Sequence, residues 1–490
     1  MTTKLIGRKE ECDILQTLLD SHRPEFLALY GRRRVGKTFL IREFFKNKDT
    51  VFFNVTGSKG GKLKEQINHF LEQLAKVFLG GIVPKAGKNW NDTFKILTDA
   101  IASSSHDKKI ILFFDELPWM ATKNSRILHN LDYYWNQHWS NDDRVKLIVC
   151  GSSASWILNN IIQSTGGLHN RLTRKIHLEP FNLINTKRFL KQQGVNLNNN
   201  QVTQLYMVTG GIPYYLSYVD KNLSSIQIIE KLAFRKGSFL LEEFDNLFAS
   251  LFDDHEIYVE IIRAIAGSRS GIGKRALLEK IGKSQIGGRG INKLSALEDA
   301  GFIMSFKPHF HKRRGIYYKL IDEYTLFYLR WIEPIRESLQ VRSLDKGNWQ
   351  EIQNSPAWNS WQGYAFEAVC YKHISQIRKK LSISPTAIAN SWRYVSMDKP
   401  NDPGAQIDLL FDRRDDAITI CEIKYSNSPF IIDKQYAKNL MNKREVFTRN
   451  TRTKKQIFIA MIASNGVRDN LYADDLISGV VTLDDLFVET

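Results

Sequence analysis

The sequence predicts an α/β protein: a parallel sheet covered by helices, then a helical region, a small helix-and-hairpin domain, and a second α/β domain. Three observations predict this. Short apolar runs alternate with helical patterns over residues 1–178. Residues 179–250 read as helices alone. From residue 351 a helix is followed by short strands with alternating polarity. The chain has 490 residues, too long for one hydrophobic core, and roughly three domains is the expectation.

The elements follow in order. In residues 1–178 the expected strands are Phe26–Tyr30, Val51–Asn54, Ile110–Asp115 and Lys146–Cys150. Helices between them make the sheet parallel and cover both faces. The helical stretch 179–250 is broken once, at Gly210-Gly211-Ile212-Pro213. Residues 251–330 open with a helix, Ile257–Ala266, whose apolar face is Ile257, Ile261, Ile262 and Ile265. Further helices are expected over Lys274–Ile281 and about 290–300, then strands Gly301–Phe306 and Ile316–Ile321. Three helices before a hairpin form a winged-helix pattern. Residues 331–350 are a connector. Residues 351–490 begin with helix Trp361–Arg378.

Composition narrows the function classes. Apolar residues make up 43% and charged residues 25%, which is ordinary for a globular chain. Lys plus Arg number 69 against 52 Asp plus Glu, a net charge of +17 that favours polyanionic partners, nucleic acid first. Cys12, Cys150, Cys370 and Cys421 form no CxxC pair, which fits a reducing compartment without a disulfide framework or zinc site. The start of the chain has no apolar signal region, and no run approaches a membrane span. The expectation is a soluble cytoplasmic protein with no membrane partner.

Gly31-Arg32-Arg33-Arg34-Val35-Gly36-Lys37-Thr38 fits G-x-x-x-x-G-K-[ST] between a strand and a helix, Thr38–Phe45. Such a loop presents backbone N–H groups and a helix dipole to phosphate. Lys37 is expected at the β- and γ-phosphates and the Thr38 hydroxyl on Mg²⁺. Gly31, Arg34, Val35, Gly36 and Phe39 complete the nucleotide-binding stretch. The apolar strand Ile110–Phe114 ends in Asp115 and Glu116. Asp115 is expected to hold Mg²⁺, and Glu116 to polarise the attacking water. The next strand ends at Gly151-Ser152-Ser153, where a serine sits between γ-phosphate and water; an ordinary strand-end turn is the alternative. Arg171 or Arg174 is a candidate arginine finger, in cis or from a neighbouring subunit.

Five segments in order carry a resemblance: Ile6-Gly7-Arg8-Lys9-Glu10-Glu11, the GRRRVGKT loop, FFDELPWM, the GSS strand end and GGIPYYL. Together they resemble the archaeal-type ATPase family, a branch of the AAA and signal-transduction ATPases, over residues 3–240. The resemblance implies that Arg8 lies near the adenine and that Pro213 belongs to a helical lid over the nucleotide. The divisions it implies are an ATPase core over 1–178 and the lid over 179–250.

The turn Lys307–Gly315 carries Lys312, Arg313 and Arg314, and the preceding helix carries Arg289 and Lys293. A basic wing and helix suit a DNA backbone. The alternative is a solvated hairpin tip. Tyr133, Tyr134, Trp135 and Trp139 share one expected helix; core packing is favoured there over base stacking.

Further on, Gly404–Phe411 and Ile418–Lys424 form an expected hairpin. A period of two puts Glu422 and Lys424 on one face, with Asp408 opposite. Two carboxylates and a lysine suit Mg²⁺-dependent phosphodiester cleavage, with Asp408 and Glu422 on the metal and Lys424 at the water. Glu367, on the helix before, is a further ligand. This set resembles the PD-(D/E)XK nuclease superfamily, and the resemblance implies a restriction-endonuclease-like domain over 351–490. Ile407 stands where the superfamily name has proline.

The expected protein binds and hydrolyses ATP with Mg²⁺ and carries a nuclease-like domain acting on DNA under nucleotide control. A nucleotide-controlled DNA-binding or signalling switch with an inactive nuclease-like domain is the alternative. A homo-oligomer would be required for an arginine finger in trans.

Overall fold

The computed structural model describes residues 5–85, 87–105, 107–122, 124–163, 168, 170–282, 288–307, 315–341, 348–394 and 404–489. The chain forms two compact units, Met1–Pro180 and Phe181–Thr490.

The first unit is built on a five-stranded parallel sheet of β1 (Glu25–Tyr30), β2 (Thr50–Thr56), β3 (Lys109–Asp115), β4 (Val145–Gly151) and β5 (Arg174–His177), in the order β2-β3-β4-β1-β5. The four expected strands are present, each slightly longer. The edge strand β5 was not expected: Arg174-Lys175-Ile176-His177 has one buried residue in four and no apolar run. Strands β1, β3 and β4 are buried almost throughout, as a sheet covered on both faces requires. Phe53, Phe70, Phe94, Phe114 and Trp139 interlock in this core, with Tyr134 and Trp135 beside them. The core reading of that aromatic group holds for these three; Tyr133 is exposed, and Trp139 lies in a separate short turn after helix Ile127–Gln137.

The second unit begins with helices Leu183–Gln192, Asn199–Thr209, Ser225–Ala233 and Phe239–Leu251. Helices His255–Ala266, Lys274–Lys280 and Gly288–Asp299 follow, with a three-stranded antiparallel sheet of β6 (Ile272–Gly273), β7 (Ile303–Phe306) and β8 (Tyr317–Leu320). Strand β6 is two residues long, below what periodicity detects. The basic residues Lys312, Arg313 and Arg314 lie outside the described residues, as does the side chain of Arg289. Lys293 pairs with Asp254 at 3.2 Å.

The last sheet runs β13-β12-β11-β10-β9, from β9 (Ile388–Tyr394), β10 (Ala405–Asp412), β11 (Ala417–Lys424), β12 (Gln456–Ala463) and β13 (Gly479–Val481). The pairs β9–β10 and β10–β11 are antiparallel, while β11–β12 and β12–β13 are parallel. Helix Lys434–Thr451 makes the crossover that a parallel β11–β12 pair needs.

The expected helix Trp361–Arg378 is instead two, Pro356–Lys372 and Ile374–Lys380, divided at His373. This histidine is fully buried. Its Nε2 accepts the Leu183 N–H at 3.0 Å, and its Nδ1 lies 2.7 Å from the Val369 carbonyl oxygen. Nδ1 therefore carries the proton and donates to Val369. The ring satisfies an N–H at the start of helix Leu183–Gln192 that no turn of that helix can satisfy. Burial lowers its pKa to about 4. Four indoles pack nearby: Trp358 stacks on Trp361 at 4.6 Å and meets Trp331 and Trp349 edge-on at 5.4 and 5.1 Å.

Candidate nucleotide site and a second carboxylate cluster

Three loops at the C-terminal ends of parallel strands build the first site. β1 runs into the loop 31–36. Gly31 has φ +141°, and a Cβ there would stand 2.3 Å from the Leu178 carbonyl oxygen. Only glycine fits this turn. Gly36 caps helix Lys37–Phe45 with φ +93°, and a Cβ there meets nothing within 4 Å. The helix N-terminus is thus open toward an anion. The Lys37 ammonium donates to the carbonyls of Gly31 and Arg32, both at 2.9 Å. Those bonds fold the side chain back over its own loop, on the side a phosphate approaches. Arg34 takes φ +71°, Val35 is buried, and Phe39 is 48% exposed. Arg8 is buried, lowered in pKa by that burial, and donates to the Val35 carbonyl at 3.1 Å. It braces the outer turn of the loop.

β3 delivers Asp115 and Glu116. The Thr38 hydroxyl donates to Asp115 Oδ2 at 2.9 Å, and Thr56 at the end of β2 reaches the same oxygen at 3.4 Å. Asp115 Oδ1 is buried and receives no N–H or O–H among the described residues. This donor set fits Mg²⁺, which takes one or two protein oxygens and leaves its remaining positions to water and phosphate. Glu116 adopts φ +49°, which turns its side chain from the strand direction toward β4. Its Oε2 accepts both the N–H and the hydroxyl of Ser152 at 2.9 Å. Burial raises the Glu116 pKa, against the pull of Lys37 and the Ser152 bonds. A raised carboxylate pKa makes a better base. The sequence offered Ser152 or Ser153 between γ-phosphate and water; the structure sets Ser152 on Glu116, and the sequence did not reveal Thr56 or Gly57. Gly57 lets the chain pass the Glu116 carbonyl, which a Cβ would meet at 2.5 Å.

Arg171 is not brought to this loop. It is exposed and precedes β5, whose first pair is Leu27 with Arg174 at the far end of β1. Arg174 pairs there with Glu25 at 3.4 Å. Neither side chain is placed at the phosphate-binding loop in this structure. Pro213 starts a short helix, Pro213–Leu216, in the second unit.

The second cluster sits on β10 and β11. The register Leu409 to Cys421 brings Asp408 beside Glu422. A bulge against β9 falls between Ile407 and Leu410, and bulges re-aim the side chains they carry. Asp408 accepts the Ile423 N–H at 3.3 Å and Gln406 Nε2 at 3.4 Å. Burial and then the neighbouring Glu422 and Glu367 raise its pKa to about 7. Glu422 behaves oppositely. Burial would raise it, but Lys443 at 2.6 Å, Lys424 at 3.0 Å and the Tyr436 hydroxyl at 2.8 Å hold it below its ordinary value. Glu367 pairs with Lys319 of β8 at 2.7 Å. Among the described residues no three His, Cys, Asp or Glu side chains converge as a metal group. With Glu422 engaged by two ammonium groups, this arrangement does not fit a divalent cation. Tyr436 and Lys443 lie seven residues apart on one helical face, a spacing visible in the sequence but without a stated partner.

Comparison with known proteins bears on both clusters. Residues 5–219 match an ATPase domain found predominantly in Archaea. Residues 328–440 match a family of archaeal and bacterial proteins of unknown function. An uncharacterized protein of Methanocaldococcus jannaschii is 26% identical over 431 residues, 86% of this chain and 88% of its own. An uncharacterized ATP-binding protein of the same organism is 46% identical over 43 residues, 9% of this chain and 73% of its own. A Walker-type ATPase of Pyrococcus abyssi aligns in structure with a TM-score of 0.43 at 19% identity, over 66% of this chain and 96% of its own. The chain carries an ATPase domain of the P-loop type. No described helix is long and apolar enough to cross a membrane.

Proposed function

We propose that the chain is a Mg²⁺-dependent ATPase whose second unit engages nucleic acid, DNA first, under nucleotide control. The observation that carries the ATPase chemistry is the 2.9 Å contact between Thr38 and Asp115, with Glu116 held by Ser152 one residue on. In this reading Lys37 leaves its loop carbonyls for the β- and γ-phosphates. Thr38 and Asp115 would hold Mg²⁺, which would supply charge neutralisation. Glu116 takes the proton of the attacking water, and Ser152 aims its carboxylate. Arg8 positions the loop beside the base, and Pro213 starts the lid. Arg171 acts from a second copy of the chain. The test is ATP turnover and ATP retention by Glu116→Gln: retention without turnover supports the assignment, and normal turnover refutes it.

Two readings of the second unit remain, each tied to an observation. The order and directions of β9 to β12, with Asp408 at a bulge beside Glu422 and Lys424, support a nuclease-like domain behind a winged helix. The full engagement of Glu422 by Lys424, Lys443 and Tyr436 supports a domain that binds without cutting. Nicking of plasmid DNA that disappears in Asp408→Ala, with ATP turnover intact, selects the first. No nicking by the wild type selects the second.

A further inference from the structure

A cavity of about 550 Å³ lies inside the second unit, bounded by the three-stranded sheet on one side and by β9 and β10 on the other. That volume falls within the ~300–1,000 Å³ range of small-ligand sites. Its walls are aromatic. Phe306 and Tyr317 come from β7 and β8 with ring centroids 5.8 Å apart, and Trp392 and Tyr394 from β9 at 6.4 Å and nearly parallel. Its polar groups are of two kinds. Gln406 and Ser391 offer neutral donors and acceptors, while Arg393 donates to the Ser270 hydroxyl. Lys319 and Glu367 neutralise each other at 2.7 Å, and the ammonium also lies 5.1 Å from the Tyr371 ring centroid.

These features select among ligands. An aliphatic chain would desolvate Lys319, Glu367 and Asp408 without replacing their hydrogen bonds. A bare phosphate would find Lys319 already paired with Glu367 and Arg393 already bonded to Ser270, and would face the carboxylates of Glu367 and Asp408. A flat, neutral ring with donors and acceptors along one edge satisfies both the aromatic faces and the amide and hydroxyl groups. Asp408 lines the same cavity.

We propose that this cavity receives one unstacked base of a single-stranded nucleic acid. The proposal rests on the reading of the second unit as a nucleic-acid module, not on its cutting. Bases inside a duplex present only their edges and cannot enter a closed pocket, so the site discriminates by strandedness. The phosphates stay at the mouth.

The experiment is fluorescence anisotropy on the full chain with labelled single-stranded DNA, single-stranded RNA and blunt duplex DNA of one sequence. EDTA is present, so that cleavage plays no part. Single strands are expected to bind more tightly than the duplex. Tyr317→Ala and Tyr394→Ala are each expected to weaken single-strand binding roughly 5- to 150-fold, the range for losing one stacking partner. Duplex binding and, in a separate assay, ATP turnover stay as in the wild type, while Tyr317→Phe and Tyr394→Phe restore single-strand affinity. Equal affinity for single strand and duplex, with both alanine variants unchanged, overturns the pocket and leaves the broader reading standing. No binding of either form at low salt overturns both. Binding without cleavage once Mg²⁺ is restored keeps the pocket and removes the nuclease.

Discussion

Two carboxylate pairs stand at strand ends of this molecule, and they are kept in opposite electrostatic conditions. At β3, Asp115 and Glu116 are met among the described residues by hydroxyl, amide and thiol donors, and the nearby Lys37 spends its hydrogen bonds on carbonyls. That pair is short of positive charge. At β10 and β11, two lysines and a phenol contact Glu422 directly, while Asp408 feels the same lysines without an ion pair to either among the described residues. The first pair keeps one carboxylate oxygen, Asp115 Oδ1, without an N–H or O–H donor among the described residues. The second has supplied its own cations. Proximity of two acids therefore does not define a metal site; the count of competing ammonium groups decides.

Substitutions sharpen or break this contrast. Lys37→Ala removes the ammonium that folds over the loop, and ATP turnover is expected to fall about 10³-fold. Nucleotide titration alongside kinetics checks it, and turnover near the wild-type rate would break the assignment. Glu116→Gln keeps the Ser152 contacts but not the base, so kcat should drop about 10²–10³-fold with ATP affinity little changed. In the second unit, His373 should make stability fall as pH drops. Its folded pKa of about 4 lies below the ordinary 6.5, so its contribution is complete above pH 6.5 and lost by pH 4. The loss is about 3 kcal/mol at most. Urea unfolding across that window should show a flatter slope for His373→Gln than for the wild type. Lys443→Met takes away one of two cations from Glu422 and should cost about 2 kcal/mol at neutral pH. The same variant should gain measurable Mn²⁺ binding by electron paramagnetic resonance. Unchanged stability and no Mn²⁺ signal would mean that the two pairs are less different than their geometry implies.

What the sequence revealed follows the same division. The first site is written in contiguous segments: a loop between strand and helix, and an acidic pair ending an apolar run. Each functional group is fixed by its immediate neighbours, so Lys37, Thr38, Asp115, Glu116 and Ser152 were all legible. The second cluster was legible only in its strand part, through the two-residue period of Glu422 and Lys424. Its controlling partners come from elsewhere: Tyr436 and Lys443 from the following helix, Lys319 from a sheet 48 residues before Glu367. Side-chain pairing across elements leaves no local pattern. Strand β5 escaped for a different reason, since a polar edge strand has no apolar period. The division of helix Trp361–Arg378 falls at His373, whose bond with Leu183 spans 190 residues and leaves no local pattern. The placement of Arg171 was likewise set by a strand that the sequence did not disclose.

The four packed indoles of the second unit have an optical consequence. Trp358 and Trp361, stacked at 4.6 Å with ring planes 26° apart, are close enough for their excited states to mix. Mixed transitions of neighbouring chromophores give a paired positive and negative band in circular dichroism, which disappears once the rings separate. That band belongs to the second unit alone. Followed during heating beside retention of a fluorescent ATP analogue, which belongs to the first, it lets one sample report whether the two halves of the chain come apart together or in turn.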